Sequence, residues 1–570
     1  MDISKLIERC AMCVFLTGLT LIGLLPIGQV ATAEDLAPTR KEATQPVQKQ
    51  RRIIANLPNN QRRILYNSDF GNAFNEFWRD TPYLVKLDAE RIKAMAEDSI
   101  DEMADAGVDT LSVVVFGRFF TTMGGSQILP AWSNQSAILH KAGHDPINIM
   151  VDRCHQRGME LMACLRMNDR HSGVPVGKFI EKHPEWQLKG VGGGPAMNFV
   201  HEPVRQKILD YMEELLGSYN VDGIQFDWMR WCHMFEPGQG RRNAHLLTDF
   251  TRRTRVLLDA AAKRRGRPRL ILGARVPQTL AECDHLGFDL ATWIKEGLVD
   301  YVVPSDFLWI DFNIKVEEFV KLAEGTDCKV YPAVHASTTG GSNGGTIVSL
   351  ANYRAAARNF YAYGADGIET YNYQWHWDKR IAAGGPQYST WSGRSAAHMW
   401  PAALGYLKDL RNLDTVSRGD RHYLFYPLWE NPSPSGAVHD DRIKLDRAQP
   451  NMRASQRFRV AEDLSNPKLR ATMEFKAVGM AEGESLEISL NGTKIPDHFV
   501  IRHHYPDGQR KWEGRKLSAY YLYIIDLNGQ VLARSMANGD NQLTVGLVPT
   551  KSDGQGTVTI DELDVYVYVK

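Results

Sequence analysis

Acids, arginines, histidines and tryptophans recur in this sequence at one kind of place, the end of a short apolar run. Asp227 closes Ile224-Gln225-Phe226-Asp227, with Trp228 and Arg230 directly after it. Arg166, Asn168, Asp169 and His171 follow the run 159–167, Arg118 follows 108–116, and Asn198 and His201 close 196–200. Arg275 ends 270–276, Asp306 and Trp309 follow 300–304, and His335 follows 329–334. Glu369 and Tyr371 close the last run, 366–371, and Asn372 and Trp375 lie just beyond it. Cleavage of a glycosidic bond needs two carboxyl groups beside the anomeric carbon, one to protonate the leaving oxygen and one to attack or to activate water. Asp227 is the first candidate, and Asp306, Glu369 or Asp169 the second. Strand alternation puts Gln225 and Asp227 on one face. In the shared start Val221-Asp222-Gly223-Ile224 and Ala365-Asp366-Gly367-Ile368, Glu369 aligns with Gln225 and is expected one layer deeper. That favours Asp306 as the catalytic partner and Glu369 as a support. Arg230 and Arg275 could hold Asp227 ionised, since a nearby positive charge favours the anion. They could equally fork around the carboxylate or sulfate of an acidic sugar. Trp228, Trp309, Trp375 and Trp377 beside polar groups suit a sugar, whose C–H faces stack on rings while its hydroxyls take hydrogen bonds. A single strand-end Asp is ordinarily a cap for the following turn. Polar residues crowded at all eight ends are harder to explain as caps.

The elements that would position these residues alternate between helix and strand. Helical periodicity marks 86–106, 144–158, 202–219, 243–264, 289–297, 314–323, 349–364 and 395–412. Between them, strands are expected at 108–116, 159–167, 196–200, 221–227, 270–276, 300–304, 329–334 and 366–371. Eight strand-then-helix units predict an α/β fold, a (β/α)8 TIM barrel over 61–415 whose chemistry sits where the strands end. After a linker or long loop at 416–450, alternating runs and the turn dipeptides Asn491-Gly492 and Asn538-Gly539 predict an all-β, jelly-roll-like sandwich over 451–570. The sandwich has two readings, sugar binding or packing.

The chain has 570 residues, with 67 Lys plus Arg against 67 Asp plus Glu, so no net field draws it to nucleic acid or to an acidic membrane. Lys5 and Arg9 precede an apolar run from 11 to 25, which Pro26 and Gly28 end, and Ala31-Thr32-Ala33 supplies a small-x-small cleavage pattern. A signal peptide over 1–33 is expected, cut after Ala33, followed by a polar tether over 34–60. The protein would then be secreted or periplasmic and free of the membrane; the alternative is an uncleaved N-terminal anchor. The remaining cysteines, Cys154, Cys164, Cys232, Cys283 and Cys328, are odd in number and widely spaced. They read as buried thiols, with one bridge such as Cys154 to Cys164 open to an oxidising compartment. No cofactor is expected. His171, His201, His233 and His335 show neither H-x-H nor H-E-x-x-H spacing, so no metal is expected either.

Three ordered stretches carry a resemblance. They are His183-Pro184-Glu185-Trp186, then Asn198-Phe199-Val200-His201-Glu202-Pro203-Val204-Arg205, then Tyr219-Asn220-Val221-Asp222-Gly223-Ile224-Gln225-Phe226-Asp227. With His155-Gln156-Arg157-Gly158-Met159-Glu160 before the second expected strand and Glu296-Gly297-Leu298-Val299-Asp300-Tyr301 before the sixth, the region 65–410 resembles the glycosyl-hydrolase-like family 10 barrels of bacteria. The resemblance implies a secreted glycan hydrolase with the fourth-strand acid, Asp227, as its most dependable site residue. The ending Arg166-Met167-Asn168-Asp169 departs from the commoner Asn-Pro-Tyr-Arg type. The expectation is therefore a glycoside hydrolase acting on a poly- or oligosaccharide, which an acid pair facing each other would support. Its alternative is a non-catalytic glycan-binding surface protein that keeps the barrel as a platform.

Overall fold

The computed structural model describes residues 62–68, 88–117, 121–122, 126–127, 134–169, 178–191, 195–338, 346–373, 402–426, 442–449, 453–510, 516–528, 539–548 and 556–570. The expected signal peptide and tether lie outside them. Among the described residues, no helix is long and apolar enough to cross a membrane.

Parallel strands form one curled sheet: β1 (Ile64–Ser68), β2 (Thr110–Gly117), β3 (Glu160–Arg166), β4 (Gly223–Asp227), β5 (Ile271–Pro277), β6 (Tyr301–Ser305), β7 in two pieces (Lys329–Val330 and Ala333–His335) and β8 (Ile368–Tyr371). Pro332 divides β7, since it has no N–H to give to a ladder. The first piece pairs with β6 and the second with β8, so the two ends of the sheet are one segment and the sheet closes. Around it lie α1 (Ala89–Asp105), α2 (Asn134–Lys141), α3 (Pro146–Arg157), α4 (Lys178–Lys182), α5 (Glu202–Ser218), α6 (Gly240–Arg264), α7 (Leu280–Leu286), α8 (Leu290–Lys295), α9 (Val316–Ala323), α10 (Leu350–Ala362) and α11 (Ala402–Asp409).

The strand count agrees with the sequence reading, but two of its members differ. The stretch 196–200 is not a strand; Met197 makes only an isolated bridge to Gln187. Its amides serve other loops, Met197 N–H donating to Asn168 Oδ1, Asn198 N–H to Trp186 O and Phe199 N–H to Met234 O. The missing strand is β1, five buried residues directly after Arg62-Arg63.

The shared starts noticed in the sequence are one device used four times. An aspartate stands just before each even-numbered strand and accepts a backbone N–H from the neighbouring odd-numbered one. Asp109 takes Ile64 N–H at 3.0 Å, Asp222 takes Leu161 N–H at 2.7 Å, Asp300 takes Leu272 N–H at 2.7 Å, and Asp366 takes Val330 N–H at 3.0 Å. Each carboxylate satisfies a strand-start donor that the ladder leaves over.

The barrel interior is filled in layers. Arg62 and Glu160 pair at the base, both buried, with Thr110 donating to the same carboxylate at 2.8 Å. Above them Leu65, Met162, Ile271, Tyr301, Val303, Tyr331 and Ala333 form an apolar plug. Gly273 makes room for it, since a Cβ there would meet the Tyr301 ring at 2.1 Å. Above this layer, towards the strand ends, buried polar side chains return, among them Gln225, Glu369, Asp227 and Arg275.

The C-terminal region is antiparallel. Its strands are β9 (Arg421–Phe425), β10 (Ile443–Asp446), β11 (Arg453–Val460), β12 (Leu469–Val478), β13 (Ser485–Leu490), β14 (Thr493–Lys494), β15 (Val500–Tyr505), β16 (Tyr520–Asp526), β17 (Gly539–Val548) and β18 (Thr557–Val569). One sheet runs β9-β18-β12-β16-β15 with β10 also on β18, a second runs β11-β17-β13-β14, and Gln509–Arg510 pairs with Lys516–Leu517 as a separate two-stranded ribbon. Met473, Phe475 and Val565 from the first share an apolar core with Phe458, Leu543 and Ile488 from the second. The five cysteines Cys154, Cys164, Cys232, Cys283 and Cys328 are all free and buried, so the bridge considered between Cys154 and Cys164 does not form.

Candidate active site

Each strand of a parallel barrel delivers its inward side chains in register with its neighbours, so three adjacent strand ends can meet. Arg166 of β3 pairs in register with Asp227 of β4, and Asp227 with Arg275 of β5. Asp227 is wholly buried. Its Oδ1 accepts from Arg275 Nη1 at 2.8 Å and from the N–H groups of Met229 and Arg230 at 3.1 Å each. Its Oδ2 accepts from the Tyr371 hydroxyl at 3.3 Å and lies 3.8 Å from Arg166 Nε. These neighbours are all donors, so Asp227 is enclosed by two guanidinium groups, a hydroxyl and two oriented N–H groups. The capping reading of the sequence is therefore also true, because the same Oδ1 closes the turn into Trp228-Met229-Arg230.

Arg275 ties the site together. Besides Asp227, its guanidinium donates to Ser305 Oγ at 3.0 Å and to the carbonyls of Asp306 and Phe307 at 2.8 and 3.3 Å, and it lies 3.5 Å from the Tyr371 ring centroid. Burial alone would lower its pKa, and Asp227, Tyr371 and Glu369 more than reverse that. Burial also pushes the Tyr371 hydroxyl up to about 12, so it stays protonated and donates to Asp227. Arg166 Nη2 donates to that hydroxyl at 3.0 Å, while Nη1 reaches Asp169 at 3.5 Å. His335 is 3.1 Å from Ser305 Oγ; burial first, then the charge of Arg275, holds it well below the ordinary histidine range, so it is neutral.

Glu369 lies one layer below, as alternation predicts from its place two residues before Tyr371. Its Oε2 accepts from Gln225 Nε2 at 2.7 Å, and Gln225 Oε1 accepts from the Ser112 and Tyr301 hydroxyls. Burial pushes the Glu369 carboxyl up to about 8, opposed by Arg275 and the Gln225 bond. The two carboxyl groups thus sit in different surroundings. Asp227 is wrapped in cations and donors, whereas Glu369 is a buried acid that keeps its proton at neutral pH.

The other expected residues fall in several places. Asp306 is at the end of β6, buried, with Oδ1 accepting the N–H groups of Leu308 and Trp309 at 2.8 Å each. Arg230 is half-buried, its guanidinium 4.9 Å from the Phe307 ring centroid. Trp231 beside it holds φ at +69°, a left-handed conformation that a bulky residue rarely adopts and that commonly marks functional sites. Asn168 joins two loops, its amide donating to the carbonyls of Met197 and His233 at 2.9 and 2.8 Å. Asn198 closes its own turn by accepting Val200 N–H, and His201 precedes α5 with its ring 6.1 Å from that of Trp186. Trp228 faces outward from the barrel, buried among Phe226, Phe250, Phe288 and Trp293, and so is part of the core and not of the mouth. Trp309 is also buried. Arg118, His171 and Trp375 lie outside the described residues, as does Trp377. Sequence reasoning named Gln225 only by its face and passed over Ser112 and Tyr301; the alternation of Tyr301, Val303 and Ser305 along β6 was the signal for the last. Among the described residues no group of three or more His, Cys, Asp and Glu side chains is placed to hold a metal ion.

Residues 75–256 match the family described as Glycosyl hydrolase-like 10, in accord with the motifs. Glycosyl hydrolase DigH of Escherichia coli strain K12 is 24% identical over 258 residues, which cover 36% of this chain and 56% of that protein; the Shigella flexneri protein of the same name gives the same values. The chain thus spans little more than half the length of these curated relatives. Among solved structures, the glycoside hydrolase domain of PgaB (BpsB) from Bordetella bronchiseptica is 12% identical with a TM-score of 0.38, over 62% of this chain and 99% of that one. An alpha-L-fucosidase from Paenibacillus thiaminolyticus is 12% identical with a TM-score of 0.38, over 61% of this chain and 48% of that one.

Proposed function

We propose that this chain is an exported glycoside hydrolase that cleaves a poly- or oligosaccharide at the mouth of the barrel. The observation that carries the reading is the placement of Asp227. It is a carboxylate at the end of β4, held by Arg275, Arg166 and the Tyr371 hydroxyl, with Glu369 one layer below. The Glycosyl hydrolase-like 10 match over 75–256 supports the same chemistry. Asp227 is suited to stabilise or attack a developing oxocarbenium centre, since it is anionic and already oriented. The acid role falls to Asp306 or Glu369. Burial raises the Glu369 carboxyl to about 8, and Asp306 stands at the end of β6. Arg230, half-buried on Phe307 next to Asp227, is a cation of the kind that suits an acidic sugar. The apolar leader and Ala31-Thr32-Ala33 support export.

One observation favours the platform reading instead. The Asp306 Oδ1 and the Asp227 Oδ1 are both engaged in closing the turns that follow them. A protein that only binds glycan would show binding without cleavage. Reducing-sugar release from a panel of neutral, sulfated and uronic polysaccharides separates the two readings. Release supports the hydrolase and names the substrate class; binding across the panel with no release supports the platform.

A further inference from the structure

The loop 306–315 leaves the site at β6 and enters α9, and its two ends are held by different parts of the molecule. At the site end, Arg275 grips the carbonyls of Asp306 and Phe307, Asp306 closes the turn on Leu308 and Trp309, and Ile310 N–H donates to Ser337 O at 3.0 Å. At the far end the loop is bonded to the C-terminal sheets. The Phe312 ring lies 6.2 and 6.1 Å from those of Tyr423 and Phe425 on β9. Asn313 Oδ1 accepts the N–H of Arg459 on β11 at 3.1 Å, and Ile314 O accepts from Arg459 Nη1 at 3.1 Å. Asn359 of α10 sits between them, its amide donating to Phe312 O at 3.0 Å and to Arg459 O at 2.8 Å. Arg459 itself is fixed by both oxygens of Glu317 at 2.9 Å, by Asp540 at 2.9 Å, and by the Tyr363 ring, 3.9 Å from its guanidinium.

We infer that the sandwich is a positioning part of the barrel's site. Arg459 and the β9 aromatics hold the 306–315 loop, and through it the turn of Asp306 and the carbonyls that orient Arg275 on Asp227. A loop of about ten residues that lost its contacts to the sandwich would sample more conformations between β6 and α9, and the far anchors meet the entropy cost of ordering it in advance. Arg459 touches no reacting group; it is a positioning residue. The activity part of this inference rests on the hydrolase reading, whereas the loop-ordering part does not.

Hydrogen exchange on the full chain separates the two. Arg459→Gln is expected to speed exchange in the 306–314 peptide by about tenfold or more, leaving 223–227 unchanged, because Arg459 holds the loop and makes no contact with β4. Asn313→Ala removes one anchor from the loop side and is expected to act in the same direction if Arg459→Gln fails to fold. Arg447→Gln is the control, because it breaks an equally tight pair with Glu484 that lies within the sandwich. It should leave 306–314 as in the wild type. On a polysaccharide that the wild type cleaves, Arg459→Gln should lower kcat with KM little changed, and Arg459→Lys should recover part of it. If exchange at 306–314 is the same in Arg459→Gln and wild type, with changes confined to 453–460 and 539–548, the inference is overturned. If the wild type releases no sugar, the hydrolase reading falls and the exchange result still decides the loop.

Discussion

Glu369 gives the most quantitative consequence of the site. Its carboxyl is completely buried beneath Asp227 and rises from the usual 4.5 to about 8. Below pH 4.5 the folded and unfolded chains both hold this proton. Between 4.5 and 8 only the folded chain holds it, so raising the pH favours unfolding. Above 8 both have lost it and the dependence ends. Each pH unit in that window is worth about 1.4 kcal/mol, so the full span is on the order of 4–5 kcal/mol. Glu369→Gln removes the titration while keeping an oxygen to accept from Gln225 Nε2. Urea unfolding of both proteins at intervals from pH 5 to 8.5 gives the difference. The wild type should lose several kcal/mol more than the variant over that range, with most of the divergence before pH 8. Parallel profiles would refute the reasoning, since Glu369 would then titrate alike in both states and its buried layer would be hydrated.

Other consequences follow from single contacts. Arg275→Met removes the closest cation of Asp227 and the guanidinium that donates to Ser305 Oγ and to the Asp306 and Phe307 carbonyls. Unfolding free energy should fall by about 3–5 kcal/mol, and Asp227→Asn in the same chain should restore part of it, measured as a double-mutant cycle in urea. Gly273→Ala drives a methyl into the Tyr301 ring and should cost about 1–3 kcal/mol by the same assay, while Tyr301→Leu on that background should relieve it. Trp228→Phe should lower stability by about 1–2 kcal/mol without altering KM for a cleaved glycan, because the indole is core and not a stacking surface.

Much of the barrel was legible from periodicity, because a closed parallel sheet repeats the same problem and the helices advertise their apolar faces. β1 escaped because five residues between two arginines and a polar stretch carry no helical partner before them. The stretch 196–200 reads as a strand because Ala-Met-Asn-Phe-Val is mostly apolar and follows the glycine-rich turn 192–194. Its amides are drawn off by Asn168, Trp186 and Met234, contacts between loops distant in sequence. Asp227 and Glu369 were placed by alternation alone, and so was their difference in depth. The same rule applied two residues further would have turned Trp228 outward with Ile224 and Phe226. What the sequence could not reveal is how the loops bond. That Asp306 closes a turn, that Asn168 joins two loops, and that Arg459 reaches across to Asn313 depend on three-dimensional neighbours with no signature in spacing.

The most direct test of the account is reducing-sugar release by wild type and Asp227→Asn on the same polysaccharide, with folding of both checked by their unfolding transitions. The account predicts release by the wild type and a loss of at least about a hundredfold in kcat in the variant, because the amide cannot supply the negative charge that Arg275, Arg166 and Tyr371 are arranged around. Equal release by the two proteins would contradict it.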